Sequence, residues 1–140
     1  MHHVLLFPRL ICMSMQTVTG ATESDLEPER IYQKLTNAFL IPRWAPVFAD
    51  NVEHVQGNVY RLTKGGDVFH LELITNEPAL TVDYLRTMAN GKRGGAYIRV
   101  TPRPLNGSVV VMTVPVATNT SPDQVAEVLE QELAALIGLV

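Results

Sequence analysis

The sequence predicts an α+β domain: a curved antiparallel β-sheet of about seven strands wraps around a long C-terminal helix, and a short helical segment follows the first strand. Two observations predict this class. Between residues 51 and 116, β-favouring runs alternate with turn-forming residues at spacings of about 8–14 residues, as in an antiparallel meander. Residues 121–140 form one amphipathic segment, and such an element can cover the apolar face of an antiparallel sheet.

Two elements precede the meander. Residues 15–22 are rich in threonine and valine and predict the first strand. Residues 23–39 predict a helix, because Asp25 can cap its start, Pro28 fits the first turn, and apolar residues recur at helical spacing. Pro42 then stops or bends this helix, since proline lacks the amide hydrogen that a helix interior uses.

Turn-forming residues separate the six runs of the meander. Asparagine and glycine adopt the backbone conformations of tight hairpin turns at little cost. These signals lie at Gln56-Gly57, Gly65-Gly66, Asn76 to Pro78, Asn90-Gly91 and Asn106-Gly107.

Side chains along a strand alternate between the two faces of a sheet, and this period assigns the covered face. In one strand Phe69, Leu71 and Leu73 point to the covered face, as cavity walls or as ordinary core. His70 and Glu72 then lie in solvent, which explains them better than an acid–base pair does. In the next strand the inward set is Val82, Tyr84, Arg86 and Met88.

The last segment begins with a clear helix signal. Ser121 is the predicted cap, Pro122 takes the first helical position, and Gln124 completes a capping box. Acidic side chains of this helix are interpreted as surface charge: Asp123, Glu127, Glu130 and Glu132. The predicted apolar face consists of Val125, Val128, Leu129, Leu133, Leu136, Ile137 and Val140.

Composition narrows the class of protein. The chain has 140 residues, of which 46% are hydrophobic and 18% charged, as expected for one globular domain and not for a disordered chain. Its net charge of −3 makes it a poor candidate for nucleic-acid binding. The single cysteine excludes cysteine-rich metal sites, the histidines lack metal-binding spacing, and no apolar run reaches the ~18 residues of a membrane span. We therefore expect no metal, no cofactor and no stable membrane insertion.

The first 13 residues differ from the remainder. Pro8 and Arg9 interrupt their apolar stretch, which argues against a secretory signal, whose apolar region is unbroken. We predict that residues 1–13 form a non-essential tail and that residues 14–140 form a single ligand-binding domain.

A curved sheet and a straight helix leave space between them unless large side chains fill it. The chain has one tryptophan and four phenylalanines, so the sequence predicts a cavity lined by valine, leucine and methionine. Such clefts usually hold apolar ligands.

The segments PERIYQKLTN and IPRWAPVF resemble the first helix and the tryptophan-containing second turn of the SRPBCC superfamily, also called START-like or helix-grip proteins. TVDYLRTMANGKRGGAYIRVTPRPLNGSVVVMT is similar to that family's last three strands, and SPDQVAEVLEQELAALIGLV to its closing helix. The resemblance covers roughly residues 15–140 and implies a helix-grip domain of the bacterial polyketide cyclase/dehydrase-like kind. The family has no universal catalytic motif, so the resemblance leaves the function open.

The candidate site combines the covered face of the strands, the closing helix and the tryptophan segment. Tyr84 and Arg86 are the first candidates for polar groups that orient a ligand, although the Tyr84 hydroxyl could instead bind another protein group. Arg86, Lys92, Arg93, Arg99 and Arg103 form either a basic cavity entrance or ordinary surface charge. The candidate ligand-binding residues are Trp44, Tyr60, Phe69, Leu71, Leu73, Val82, Tyr84, Arg86, Met88, Ile98, Val100, Met112, Leu129, Leu133 and Leu136.

Together these patterns predict a cytoplasmic protein that binds, or also transports, a hydrophobic or amphipathic small molecule between the sheet and the C-terminal helix. A polyketide cyclase/dehydrase-type enzyme and an interaction module with a filled core are the alternatives. An enzyme needs a proton-transfer group with a shifted pKa inside the cavity, whereas a binding protein needs none, and no catalytic residue is assigned. The sequence leaves open whether the chain is a monomer or a homodimer.

Overall fold

Seven β-strands form one antiparallel sheet in the computed structural model, which describes residues 16–139. They are β1 (Gln16–Ser24), β2 (Asn51–Gln56), β3 (Val59–Lys64), β4 (Asp67–Asn76), β5 (Thr81–Met88), β6 (Arg93–Pro102) and β7 (Ser108–Val116). Their order across the sheet is β1-β7-β6-β5-β4-β3-β2, so the meander runs from β2 to β7 and β1 pairs with β7. This architecture confirms the predicted fold class. The predicted tail, residues 1–13, lies outside the described residues.

Three α-helices accompany the sheet within the described residues: α1 (Pro28–Thr36), α2 (Ile41–Trp44) and α3 (Pro122–Ile137). The predicted continuous helix over residues 23–39 is therefore wrong. Asn37 leaves the helical conformation, and its side chain accepts a hydrogen bond from the Phe39 amide at 3.1 Å, which starts a separate 3₁₀ turn, Ala38–Leu40.

The first helix also begins later than predicted. β1 continues to Ser24, and the Ser24 hydroxyl accepts a hydrogen bond from the Leu26 amide at 3.0 Å, so the chain turns before the helix starts. Asp25 is consequently not the cap. Its carboxylate pairs with Arg103 at 2.7 Å, while Pro28, predicted in the first turn, occupies the first helical position.

The C-terminal helix begins at the predicted residue, and three members of its predicted apolar face are buried, while Val140 lies outside the described residues. The Ser121 hydroxyl accepts a hydrogen bond from the Gln124 amide at 3.3 Å, and Leu129, Leu133 and Leu136 are buried. The helix packs closely on β1, where a side chain at Gly20 would begin 3.3 Å from methyl carbons of both Leu129 and Leu133. The small residue at position 20 thus lets the helix approach the sheet.

Helix α1 covers one end of the same sheet face. It packs on β5, β6 and β7 and buries Ile31, Tyr32 and Leu35. Beneath it lie Val82, Ile98 and Val100, which are also buried. No residue of α1 reaches the other end of the face, and the cavity lies there.

The alternation in β4 and β5 agrees with the predicted faces. Phe69, Leu71 and Leu73 are buried, while His70 is exposed and Glu72 is half-buried. In β5, Val82 and Tyr84 are buried as predicted.

Candidate functional site

A cavity of about 320 Å³ lies between α3 and the end of the sheet face that α1 does not cover. Helix α2 and the residues after it form one side of this cavity. Phe69, Met88 and Met112 line it from the sheet, and Leu129 lines it from the helix. Its position follows from the fold, because α1 fills the opposite end of the space between the sheet and α3.

The cavity includes seven of the predicted site residues: Trp44, Phe69, Tyr84, Arg86, Met88, Met112 and Leu129. Seven others are buried in the core and do not line the cavity: Leu71, Leu73, Val82, Ile98, Val100, Leu133 and Leu136. Tyr60 also lies outside it, with its ring centroid 5.9 Å from that of Phe39 and 5.2 Å from that of His54. The alternation of polar and apolar residues along a strand predicts which side chains point to the covered face, but it does not distinguish residues that line a cavity from residues packed in the core.

Arg86 reaches into the cavity from β5. Its guanidinium carbon lies 5.5 Å from the ring centroid of Phe48 and 5.6 Å from that of Phe69, distances at which a cation is attracted to an aromatic face. Among residues 16–139, no carboxylate lies within 4.0 Å of this guanidinium. Burial lowers its pKa from the ordinary value, but arginine keeps its charge in proteins. Arg86 is therefore a fixed positive charge without a counter-ion in the described structure.

Gly94 makes room for this guanidinium. Gly94 pairs with Arg86 across β5 and β6, and a side chain there would begin 3.1 Å from the Arg86 Nη2 atom. The missing side chain lets the arginine lie across the neighbouring strand.

The basic entrance, one of the two interpretations of this charge cluster, is not assembled, since Arg86 alone of its five members lines the cavity. Arg103 pairs with Glu23 and Asp25, at 3.3 Å and 2.7 Å. The remaining members, Lys92, Arg93 and Arg99, are exposed. For these four residues the alternative interpretation, surface charge, agrees with the structure.

Tyr84 contributes its ring to the cavity wall, but its hydroxyl has a protein partner. The hydroxyl donates a hydrogen bond to the Leu35 carbonyl near the end of α1. Burial raises the pKa of the phenol far above its ordinary value. The Tyr84 proton is thus not available to a ligand, and the alternative considered from the sequence describes this residue.

Glu132 is the functional candidate that sequence reasoning missed. It lines the cavity from α3, opposite the sheet, and is half-buried instead of lying on the surface. Burial raises the pKa of its carboxyl to about 7. A signal was present, because Val125, Val128, Leu129 and Glu132 follow the i, i+3, i+4, i+7 spacing of one helix face.

Trp44 carries a second unusual polar group. The side chain is 2% exposed, lines the cavity, and lies beside Tyr84 with ring centroids 6.0 Å apart. Its indole Nε1 is buried and has no hydrogen-bond acceptor within the described residues. Buried hydrogen-bond donors normally have an acceptor, so among residues 16–139 the indole N–H of Trp44 is an unpaired donor in the cavity wall.

Lys64 and Asp67 lie at the rim, and both are exposed. Lys64 donates hydrogen bonds to the Pro46 carbonyl at 2.8 Å and to Asp50 at 3.1 Å. Exposed pairs of this kind contribute little to stability, and salt screens their influence on the interior.

Neither a metal site nor a membrane helix is found in residues 16–139. No group of three or more His, Cys, Asp or Glu side chains could hold a metal ion there. No helix among them is both long and apolar enough to cross a bilayer.

The fold is the START-like helix-grip fold, in which a curved antiparallel sheet grips a long C-terminal helix. Three solved structures illustrate the likeness. The Zhui aromatase/cyclase from Streptomyces sp. R1128 is 14% identical with a TM-score of 0.68, covering 89% of this chain and 92% of that one. A START superfamily protein from Mycobacterium smegmatis is 16% identical with a TM-score of 0.65, covering 87% and 94%. Ara h 8.0201 is 18% identical with a TM-score of 0.63, covering 88% and 93%.

At these identities the likeness establishes the fold alone. No protein-family model matches the chain, and no curated protein sequence does.

Proposed function

We propose that this protein binds a hydrophobic or amphipathic small molecule in the cavity between the sheet and α3. The observation that carries the proposal is the cavity itself, about 320 Å³ with mostly apolar walls and a few polar groups. Ligand sites commonly have this composition and measure ~300–1,000 Å³. The neighbours of the same fold support it, since one is named an aromatase/cyclase and another a START superfamily protein.

Affinity would come mainly from apolar burial. Phe69, Met88, Met112 and Leu129 offer aromatic and flexible apolar surface, and burial of apolar area stabilises a complex by roughly 25 cal/mol per Å² before the costs of association. Methionine side chains adapt to ligands of different shape. We therefore expect recognition by shape and apolar area, with polar groups fixing orientation.

A space-filling substitution tests this proposal. The neutral fluorescent probe N-phenyl-1-naphthylamine should bind the native protein, and Val128→Trp should weaken its binding by about tenfold or more, since the indole would occupy the cavity that Val128 lines. Ala126→Trp is the matched control, because Ala126 is exposed on the same helix. Absence of probe binding to a protein with a native thermal melt would contradict the proposal and favour the interaction module.

A second candidate function is catalysis of the cyclase/dehydrase type, and Glu132 is the observation that favours it. A carboxyl that titrates at about pH 7 inside a cavity can act as a general base. Ionised Glu132 would take a proton from the carbon beside a carbonyl group, and the electron pair would move onto the carbonyl oxygen. Arg86 would neutralise the resulting enolate.

Hydrogen–deuterium exchange separates this candidate from binding alone. In D₂O the wild-type protein should accelerate exchange beside the carbonyl of 2-tetralone, a compact apolar ketone. Glu132→Gln should abolish the acceleration, while Glu130→Gln, an exposed change on the same helix, should retain it. Equal exchange with wild-type protein and with buffer would exclude the catalytic candidate and leave the binding proposal intact.

A further inference from the structure

The cavity presents two ionisable groups of opposite kind on opposite walls. Arg86 projects from the sheet and Glu132 from α3, and both line the same space. They form no ion pair within 4.0 Å among residues 16–139. A molecule placed between them would therefore meet one polar group at each end and apolar walls between.

Only one of the two groups can become neutral near pH 7. A carboxylate in a poorly solvated site can take up a proton, whereas a guanidinium keeps its charge. When Glu132 is protonated, Arg86 is the one ionised group within the cavity interior described by residues 16–139. The interior then carries a positive charge without a counter-ion, and it favours an anion over a cation.

Building on the proposed function, we propose that the natural ligand is an amphipathic organic anion, whose charged oxygen binds Arg86 and whose second polar end accepts a hydrogen bond from the protonated carboxyl of Glu132. The ligand class is a carboxylate, sulfonate or phenolate on a compact apolar body. Binding of such a molecule requires a proton on Glu132, because an ionised carboxylate in the same cavity would repel it.

The surroundings of Glu132 support this protonated form. Burial alone raises the pKa of its carboxyl to about 7, with no charged neighbour contributing. The charged groups that share the cavity are Arg86 on β5, Lys64 on β3 and Asp67 on β4. On the elements packed against α3, Glu23 of β1 pairs with Arg103, Lys34 of α1 donates to the Leu139 carbonyl, and Arg43 of α2 is exposed.

The anion end is organised before a ligand arrives. Phe48 and Phe69 pack against each other with ring centroids 5.1 Å apart, the guanidinium carbon lies beside this pair at 5.5 Å and 5.6 Å from the two centroids, and Gly94 leaves it room. A charged side chain held in one place loses little freedom on binding, which favours affinity. Three neighbouring residues therefore set the orientation of the Arg86 side chain before a ligand binds.

Two matched probes test the inference. N-phenyl-1-naphthylamine is neutral, and 1-anilinonaphthalene-8-sulfonate adds a permanently ionised sulfonate to the same rings, so neither probe titrates between pH 6 and 9. We expect the dissociation constant of the neutral probe to stay constant over this range. That of the sulfonate should rise with pH, approaching tenfold per unit above about pH 7, as required when the complex holds one more proton than the free protein.

Variants assign the effect to its residues. Glu132→Gln should remove the pH dependence and keep the sulfonate bound at pH 9 as at pH 6, whereas the exposed Glu130→Gln should preserve the wild-type profile. Arg86→Gln should weaken the sulfonate at least tenfold and the neutral probe less than twofold. If Arg86→Gln does not give a native melt, Arg86→Lys keeps a charge and should retain part of the preference for the sulfonate.

The outcomes separate this inference from the proposed function. A pH-independent sulfonate affinity, or equal losses of both probes on Arg86→Gln, overturns the inference while the neutral probe still supports a binding cavity. A preference for a cationic probe that is lost in Glu132→Gln also overturns it. Failure of both probes with a native melt overturns the proposed function itself.

Discussion

Tyr84 shows how the tertiary structure assigns the role of a single residue. Its position in the β5 alternation predicts an inward side chain, and the structure agrees, with Tyr84 4% exposed. The hydroxyl is nevertheless used by the protein, since it donates to the Leu35 carbonyl near the end of α1. Carbonyls in the last turn of a helix lack partners within the helix, so this bond satisfies one of them.

We predict that Tyr84→Phe lowers stability without affecting ligand binding. The change leaves the buried Leu35 carbonyl without this donor, which costs about 1–3 kcal/mol, while the ring that lines the cavity remains. The urea midpoint should fall, and the dissociation constant of N-phenyl-1-naphthylamine should change less than twofold. Tyr97→Phe on the exposed face is the control and should leave the midpoint unchanged. A large loss of probe binding in a native Tyr84→Phe protein would mean that the hydroxyl contacts ligands.

At the scale of elements, α3 performs two tasks along its length. Leu133 and Leu136 are buried in the core, and Leu133 contacts β1 at Gly20. Val125, Val128 and Glu132 line the cavity. The helix therefore joins the folding core to the candidate site, and its two faces can be tested separately.

Leu133→Ala should destabilise the fold strongly. Leu133 is 1% exposed and does not line the cavity, so loss of its side chain removes contacts within the packed core. A buried leucine-to-alanine change typically costs about 2–5 kcal/mol, and we expect the urea midpoint to fall accordingly. Leu105→Ala, at a side chain that is 98% exposed, should leave the midpoint in place. An unchanged midpoint for Leu133→Ala would mean that the helix face is misplaced.

At the scale of the whole molecule, burial of Glu132 in the cavity wall links the stability of the fold to pH. A carboxyl that is poorly solvated in the folded protein is fully solvated in the unfolded chain, so folding disfavours its ionised form. The folded state thus binds a proton more tightly at Glu132 than the unfolded state does.

This linkage predicts a pH dependence of stability. The Glu132 carboxyl ionises near its ordinary pKa of 4.5 in the unfolded chain and near 7 in the folded protein. Between these values the folded state holds more protons, so stability falls as the pH rises through this window. The loss is complete above about pH 7 and amounts to at most about 3 kcal/mol.

Urea unfolding of wild type and Glu132→Gln at pH 5 and pH 8 measures this effect. The two proteins should be similar at pH 5, where Glu132 is protonated in the folded state, and Glu132→Gln should be the more stable at pH 8. Taking the difference between the variants removes the contribution of every other titrating group. A difference that is the same at both pH values would contradict the raised pKa of Glu132.

The antiparallel strands, their succession along the chain and the long closing helix could be predicted from the sequence, but the pairing of β1 with β7 came from the structure. Turn chemistry at pairs such as Asn106-Gly107, strand alternation and the Ser121 cap are encoded by adjacent residues, so they can be read without the tertiary structure. The same local reasoning failed at Asn37, where a side-chain bond to the Phe39 amide divides the predicted helix. A single polar residue can end a helix within an otherwise continuous apolar pattern.

The position of the cavity and the presence of Glu132 in its wall came from the tertiary structure, whereas strand alternation already predicted the inward position of Arg86. The cavity lies at the end of the sheet face that α1 does not cover. One of the contacts that hold α1 on the sheet is the hydrogen bond from Tyr84 to the Leu35 carbonyl, between residues 49 apart in the chain. The alternation of their strands places both Val82 and Met112 on the covered face, yet Val82 is packed in the core and Met112 lines the cavity. Periodicity in the sequence predicts which face of the sheet a side chain occupies. Whether the space on that face is filled depends on contacts between segments that are distant in the chain, and such contacts also place Glu132 and Arg86 in the same cavity.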